Sequence, residues 1–242
     1  MLENAVMKVS NEKRIKIHML RDCDLDKITD GKRYQLSDMV KADCDDCKGC
    51  SACCHDMGNS IVLDPLDFHR IATHLGLRFE AMLGDKIDLN VVDGIILPNL
   101  RMKSEKEGAP CGFLNEEGRC SIHPHRPGIC RIFPLGRIYE DRSFSYILQV
   151  HECAKENKAK VKVSKWIDTP DVKRNQKFVS DWHYFLKDVQ QYLQEKADDE
   201  LIKKITMQIL QYFYMEPFDK ERDFYEQFDV RLVQMKKLLG ML

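Results

Sequence analysis

The sequence predicts an α+β protein: a cysteine-rich metal module of short β-hairpins and helices, followed by a mainly helical C-terminal part. Three observations carry that prediction. Ten of the 242 residues are cysteine, and seven of those lie between Cys44 and Cys120. From Cys44 to about Lys155, turn-forming Gly, Pro and Asp divide the chain into short segments. Beyond Val161 that punctuation stops, and apolar residues recur every three or four positions. The expected organisation is an N-terminal segment 1–43, a cysteine-cluster metal-binding domain 44–156 and a helical C-terminal region 157–242.

The N-terminal segment is polar, mixed in sign and without a strong period. Asp22, Asp24 and Asp26 alternate as in a calcium loop, but Lys27 stands where glycine is needed and Arg33 where a bidentate Glu belongs. A solvated acidic turn is the better reading, and Cys23 beside it reads as a small buried hydrophobe. Asp64-Pro65 supplies an N-cap and a first-turn proline for a helix through LDFHRIATHL, closed by Gly76. Asp67, in the same stretch, reads as a surface carboxylate. LNVVDGIILP predicts two strands joined at Asp93-Gly94, and LGRIYEDRSFSYILQV a second hairpin turning between Glu140 and Ser143. CGFLNEEGRCSI predicts a third, around Asn115 to Gly118, with Cys111 opposite Cys120. The C-terminal stripes are Phe178, Trp182, Phe185, Val189 and Tyr192; Leu201, Ile205, Ile209 and Phe213; and Phe224, Phe228, Leu232, Met235 and Leu239. Such spacing is core packing and carries no chemistry by itself.

Composition excludes several functions. With 38 basic and 39 acidic side chains the net charge is -1, which gives no field to hold nucleic acid or an anionic membrane. No run approaches the roughly 18 apolar residues of a membrane span. The first twenty residues lack the apolar core of a signal peptide. The expectation is a cytoplasmic protein with an unknown protein or small-molecule partner. In a reducing compartment dense cysteines point to metal ligands or redox thiols rather than disulfides.

CDDCKGCSACC places Cys44, Cys47, Cys50 and Cys53 at successive three-residue steps, with Cys54 adjoining. A C-x2-C pair lets a tight turn aim two thiolates at one centre, and Gly49, Ser51 and Ala52 allow close backbone approach. Adjacent side chains diverge, so Cys53 and Cys54 suit an iron–sulfur cluster or two neighbouring centres better than one tetrahedral ion. Cys111, Cys120, Cys130 and Cys153 extend the set. His55, His123, His125 and His151 sit beside these cysteines and read as polar neighbours rather than ligands.

The pattern Cys47, Cys50, Cys53, Cys54, followed by CGFLNEEGRCSIHPHRPGICRIFP, resembles the YkgJ-type cysteine-cluster family, the CxxCxxCC zinc- or iron-chelating domain. The matching positions run on through Cys111, Phe113-Leu114, Cys120, Arg126-Pro127, Cys130-Arg131 and Cys153-Ala154-Lys155. His123 departs from the aromatic residue usual near there, and Cys23 and Cys44 lie outside the pattern. The resemblance implies eight thiolate ligands: Cys47, Cys50, Cys53, Cys54, Cys111, Cys120, Cys130 and Cys153. They would hold an iron–sulfur cluster, such as a [4Fe–4S] centre, or zinc. Thiolate-bound metal carries negative charge, so Arg126 and Arg131, flanking Cys130, are expected to hydrogen-bond the sulfurs of the bound cofactor.

The C-x3-C-x2-C motif of radical chemistry on adenosylmethionine is absent, as are G-x-G fingerprints, a G-x-S-x-G elbow and H-E-x-x-H. Two function classes remain. One is a metal-binding protein; the other is an iron–sulfur-dependent methyltransferase-like enzyme, since a flagellin lysine methylase contains a related cysteine-cluster domain. A purely structural zinc module is the third reading.

Overall fold

The computed structural model describes residues 25–45, 47–196 and 198–241; Cys23, Asp22, Asp24 and most of the N-terminal segment lie outside them. Helices alternate with short antiparallel strand pairs, the α+β class that the sequence predicts. The chain divides into two compact units. Among the described residues, one holds the chain up to Gly58 together with Met102–Tyr184, and the other holds Asn59–Arg101 and the chain from Phe185 onward.

The cysteine-bearing unit contains two two-stranded sheets. Leu135–Glu140 pairs with Ser143–Leu148, and Asp141 and Arg142, both left-handed (φ +49° and +58°), make the two-residue turn between them. Two left-handed residues match the twist of a tight hairpin. The helix Val172–Lys196 anchors this hairpin's tip through Ser180, whose hydroxyl donates to the Arg142 carbonyl at 2.8 Å, and Tyr184, which donates to that of Ser143 at 3.2 Å. The second pair is non-local: Met39–Asp43 runs antiparallel to Ala159–Lys162, with Val40 facing Val161. Alternation buries Val40, Ala42, Val161, Phe144 and Tyr146, over which Val163, Ile167, Phe178 and Trp182 close a core of this unit's own. The non-local pair delivers the chain directly into the cysteine loop at Cys44.

In the other unit Asp64 caps the helix Pro65–Leu75 in a reciprocal box. The Asp67 amide donates to Asp64 Oδ1 at 2.8 Å, and the Asp64 amide to Asp67 Oδ2 at 3.4 Å. Gly76 closes the helix with φ +65°. Asp67 is therefore no surface carboxylate: it is 4% exposed, because the box needs its side chain turned back onto the helix end. The hairpin Ile87–Val92/Ile95–Leu100 turns at Asp93-Gly94 as expected, and every residue of its second strand is buried. Helices Asp199–Leu210 and Phe224–Leu238 add Ile205, Ile209, Phe228, Leu232 and Met235 to this core, with Phe213 and Tyr214 from the π-helical turn Gln211–Met215. The Tyr214 hydroxyl donates to the buried Leu63 carbonyl at 2.8 Å.

Candidate metal centre

The loop after Met39–Asp43 is a run of tight turns. Asp45, Cys47 and Gly49 are left-handed, at φ +57°, +58° and +63°. The amides of Lys48, Cys50 and Cys54 donate to the carbonyls of Asp45, Cys47 and Ser51 at 3.0, 3.1 and 2.8 Å. Ala52–Cys54 then forms one turn of 3₁₀ helix, with about three residues per turn. Turns that close every three residues, applied to cysteines spaced every three residues, bring successive thiols back to one side. Cys44, Cys47, Cys50 and Cys53 accordingly line one cavity of about 10 Å³, and Cys153 joins them from a segment some hundred residues later, beside Phe133 and Pro134. The late segment is fastened there by Lys155 Nζ, which donates to the Lys48 carbonyl at 3.3 Å. A left-handed φ at a residue with a Cβ costs on the order of 1–3 kcal/mol, and Cys47 pays it within the candidate site.

A second set of thiols surrounds Cys53 and Cys54. The segment ending at Cys111 lies antiparallel to Cys54–Asp56: the Cys111 amide donates to the Cys54 carbonyl at 2.7 Å, and the Asp56 amide to the Ala109 carbonyl at 3.0 Å. The following hairpin departs from its expected register. Cys120 pairs with Leu114, not with Cys111. The loop holds three residues, Glu116 to Gly118, between Asn115 and Arg119, with Gly118 left-handed at φ +69°. A type I turn followed by a left-handed glycine adds one residue to a two-residue loop and shifts the pairing. Cys111 and Cys120 nevertheless interact electrostatically with each other and with Cys53. Cys130 is half-buried on the helix Gly128–Ile132, outside the lining of the cavity.

The thiols differ in acidity. Hydrogen bonding from Cys54 brings Cys53 down to about 7, with further help from Arg126 and His55 against the effect of burial. Cys54, as the donor of that bond and itself half-buried, is pushed up strongly. Burial, together with Cys44, raises Cys47 to about 12. Burial also raises Cys111 and Cys120 above the ordinary 9.0. The pair Cys53–Cys54 thus holds one thiolate near neutral pH, stabilised by its neighbour's S–H.

Arg126 is the cation common to both sets, since its charge favours the thiolates of Cys47, Cys53 and Cys120. It is held in place by His123: its Nη1 lies 2.8 Å from the ring Nδ1 and donates to the carbonyl oxygen at 3.0 Å. Arg119 Nη2 reaches the same ring nitrogen at 3.1 Å. His123 therefore braces two guanidiniums beside the thiols, a role its place in the sequence did not reveal. Arg131, 6% exposed, donates to the Pro124 carbonyl at 2.6 Å and the Asp168 carbonyl at 3.0 Å, tying the Cys130 helix to its surroundings.

The donor chemistry fits zinc or iron. All nine described cysteines are free thiols, the soft ligands both metals take. Cys44 and Cys47 place their sulfurs 3.6 Å apart, near the roughly 3.8 Å between two sulfurs bound tetrahedrally at about 2.3 Å from one zinc. The gathering is not yet a finished coordination sphere: among the described residues, no three His, Cys, Asp or Glu side chains stand ready to hold an ion. Nor, among those residues, is any helix long and apolar enough to cross a membrane.

The chain matches none of the curated proteins and none of the solved structures with which it was compared. One family model does match, over residues 46–161, a span that takes in the eight predicted ligands and the two arginines. Its description is "CxxCxxCC: Putative zinc- or iron-chelating domain", in agreement with the soft-donor set gathered around Cys53. Residues 46–161 of this chain thus match the CxxCxxCC domain.

Proposed function

We propose that this protein is a metal-binding module whose thiolates hold an iron–sulfur cluster or zinc, in two adjoining sets that meet at Cys53. Cys47, Cys50 and Cys153 face the cavity; Cys54, Cys111 and Cys120 surround the other side of Cys53, with Cys130 on the adjoining helix. The carrying observation is that cysteines from chain segments about a hundred residues apart line one cavity. Zinc would supply a Lewis-acid or structural centre, and an iron–sulfur cluster an electron-transfer centre. The protein's own residues gather the sulfurs, ionise Cys53 and set Arg126 against the negative charge of a metal–thiolate centre. Free thiols persist in a reducing compartment, which supports a cytoplasmic reading.

Anaerobic purification followed by metal analysis and absorbance tests this reading. A brown protein with iron and sulfide supports the cluster; a colourless protein with stoichiometric zinc supports zinc, which is redox-silent. Material gently purified with neither metal, and taking up neither on reconstitution, would sink the proposal.

A further inference from the structure

We infer that Cys44, which lies outside the residues matched by the family, is a metal ligand of the cavity set together with Cys47, Cys50 and Cys153. The inference rests on the metal-binding reading above and extends it to a residue that the family pattern does not assign. Two independent observations carry it. The Cys44 and Cys47 sulfurs are in hydrogen-bond contact at 3.6 Å, close to the roughly 3.8 Å between two sulfurs on one tetrahedral ion. Cys44 also lines the same small cavity as Cys47, Cys50 and Cys153.

Backbone geometry explains why this residue can serve. Cys44 leaves the end of the strand Met39–Asp43, whose pairing with Ala159–Lys162 fixes the loop's entry point near Cys153. The Asp45 amide donates to Asp43 Oδ1 at 3.1 Å, and the left-handed Asp45 reverses the chain immediately after Cys44. Cys44 thereby stands one C-x2-C step before Cys47, as Cys47 stands before Cys50. On binding a divalent ion, the Cys44 thiol gives its proton to solvent and forms one sulfur–metal bond. No electrons are transferred, and no further reactant is needed.

Metal-protected alkylation of the full-length chain tests the inference. Protein freed of metal and protein reloaded with zinc are treated with N-ethylmaleimide under anaerobic conditions, which removes disulfide formation as a source of protection. Peptide mapping then follows each thiol. Cys44 should react at least about tenfold more slowly in the loaded protein, in parallel with Cys47. In a second arm Cys44→Ser, with circular dichroism as the folding check, should weaken zinc in chelator competition by about tenfold or more. It should also lower the sulfur-to-metal charge-transfer band of the cobalt-substituted protein. If the chain loads zinc but Cys44 alkylates at its metal-free rate, the inference is overturned while the metal-binding reading stands. If the chain loads no metal at all, both fall. Should Cys44→Ser fail to fold, alkylation of the natural chain still decides.

Discussion

Raising the pH from 7 to 8 should tighten zinc binding to the Cys53, Cys54, Cys111 and Cys120 set by about two-thousandfold. Each of these sulfurs must bind as thiolate, so each thiol still protonated in the metal-free protein releases one proton on loading. Cys54, Cys111 and Cys120 are all raised above the ordinary 9.0 and stay protonated across this window. Cys53, at about 7, is already half ionised at the lower pH. Three protons are therefore released, and each contributes a factor of about ten, or about 1.4 kcal/mol, per pH unit. The remaining ionisation of Cys53 adds a factor of about two. The sign follows from the raised values: protons compete with metal for those three sulfurs, so affinity grows as pH rises. Competition against a chelator of known proton affinity, repeated in quarter-unit steps, gives the slope of log affinity against pH. A slope near three supports the thiolate assignment. A slope of one or less would mean that most of these sulfurs are not ligands, and the assignment of this set would have to be abandoned.

Four further outcomes are expected. Arg126→Gln should weaken metal binding by about 10–100-fold and move the Cys53 ionisation midpoint upward, read from metal affinity and from the pH profile of alkylation. In the metal-free wild type, Cys53 should be the fastest thiol to react with iodoacetamide at neutral pH, with a midpoint at about 7; a fastest thiol elsewhere on the map counts against the Cys54-to-Cys53 hydrogen bond. Cys153→Ser should lower metal content although its position is far from the C-x2-C run in sequence, because it lines the same cavity; unchanged stoichiometry and affinity would remove it from the ligand set. Asp64→Ala should cost about 0.5–2 kcal/mol of stability through the lost helix cap while leaving metal stoichiometry intact, since the cap belongs to the other compact unit.

Local signals in the sequence were sufficient wherever structure is set by neighbours. Asp64-Pro65 and Gly76 bracketed a real helix, and Asp93-Gly94 and Asp141-Arg142 marked real two-residue turns, since these residues act through their own φ and side-chain bonds. The register around Cys120 was not legible, because a two-residue and a three-residue loop read alike until Gly118 is seen to be left-handed. The strand Met39–Asp43 was missed altogether. Its partner lies about 120 residues away, so nothing in the neighbouring sequence announces the pairing. Of the site, the spacing of the cysteines was plain in the sequence and their grouping was not. Cys44 falls outside the family pattern, yet its three-residue step to Cys47 goes with a sulfur–sulfur contact of 3.6 Å.

The cysteine-bearing unit also bears on whether its metal is only a folding staple. An isolated two-stranded sheet is marginal in water, so a module made solely of such pairs would depend on its metal to fold. This unit has more: Val40, Phe144, Tyr146, Val163, Phe178 and Trp182 form a buried core on the side chains of both sheets and two helices. The loop Cys44–Cys54 contributes little to it, as its cysteines are half-buried and its turns are held by local hydrogen bonds. Chelation should then loosen the loop and the Cys111–Cys120 segment while the sheets and helices persist. A purely structural zinc module predicts the opposite, a cooperative loss of the whole unit with the metal. Hydrogen exchange before and after chelation separates the two. Retained protection in Phe144–Ile147 and Phe178–Trp182, with protection lost around Cys44–Cys54, would mean that the fold carries the centre rather than the centre the fold.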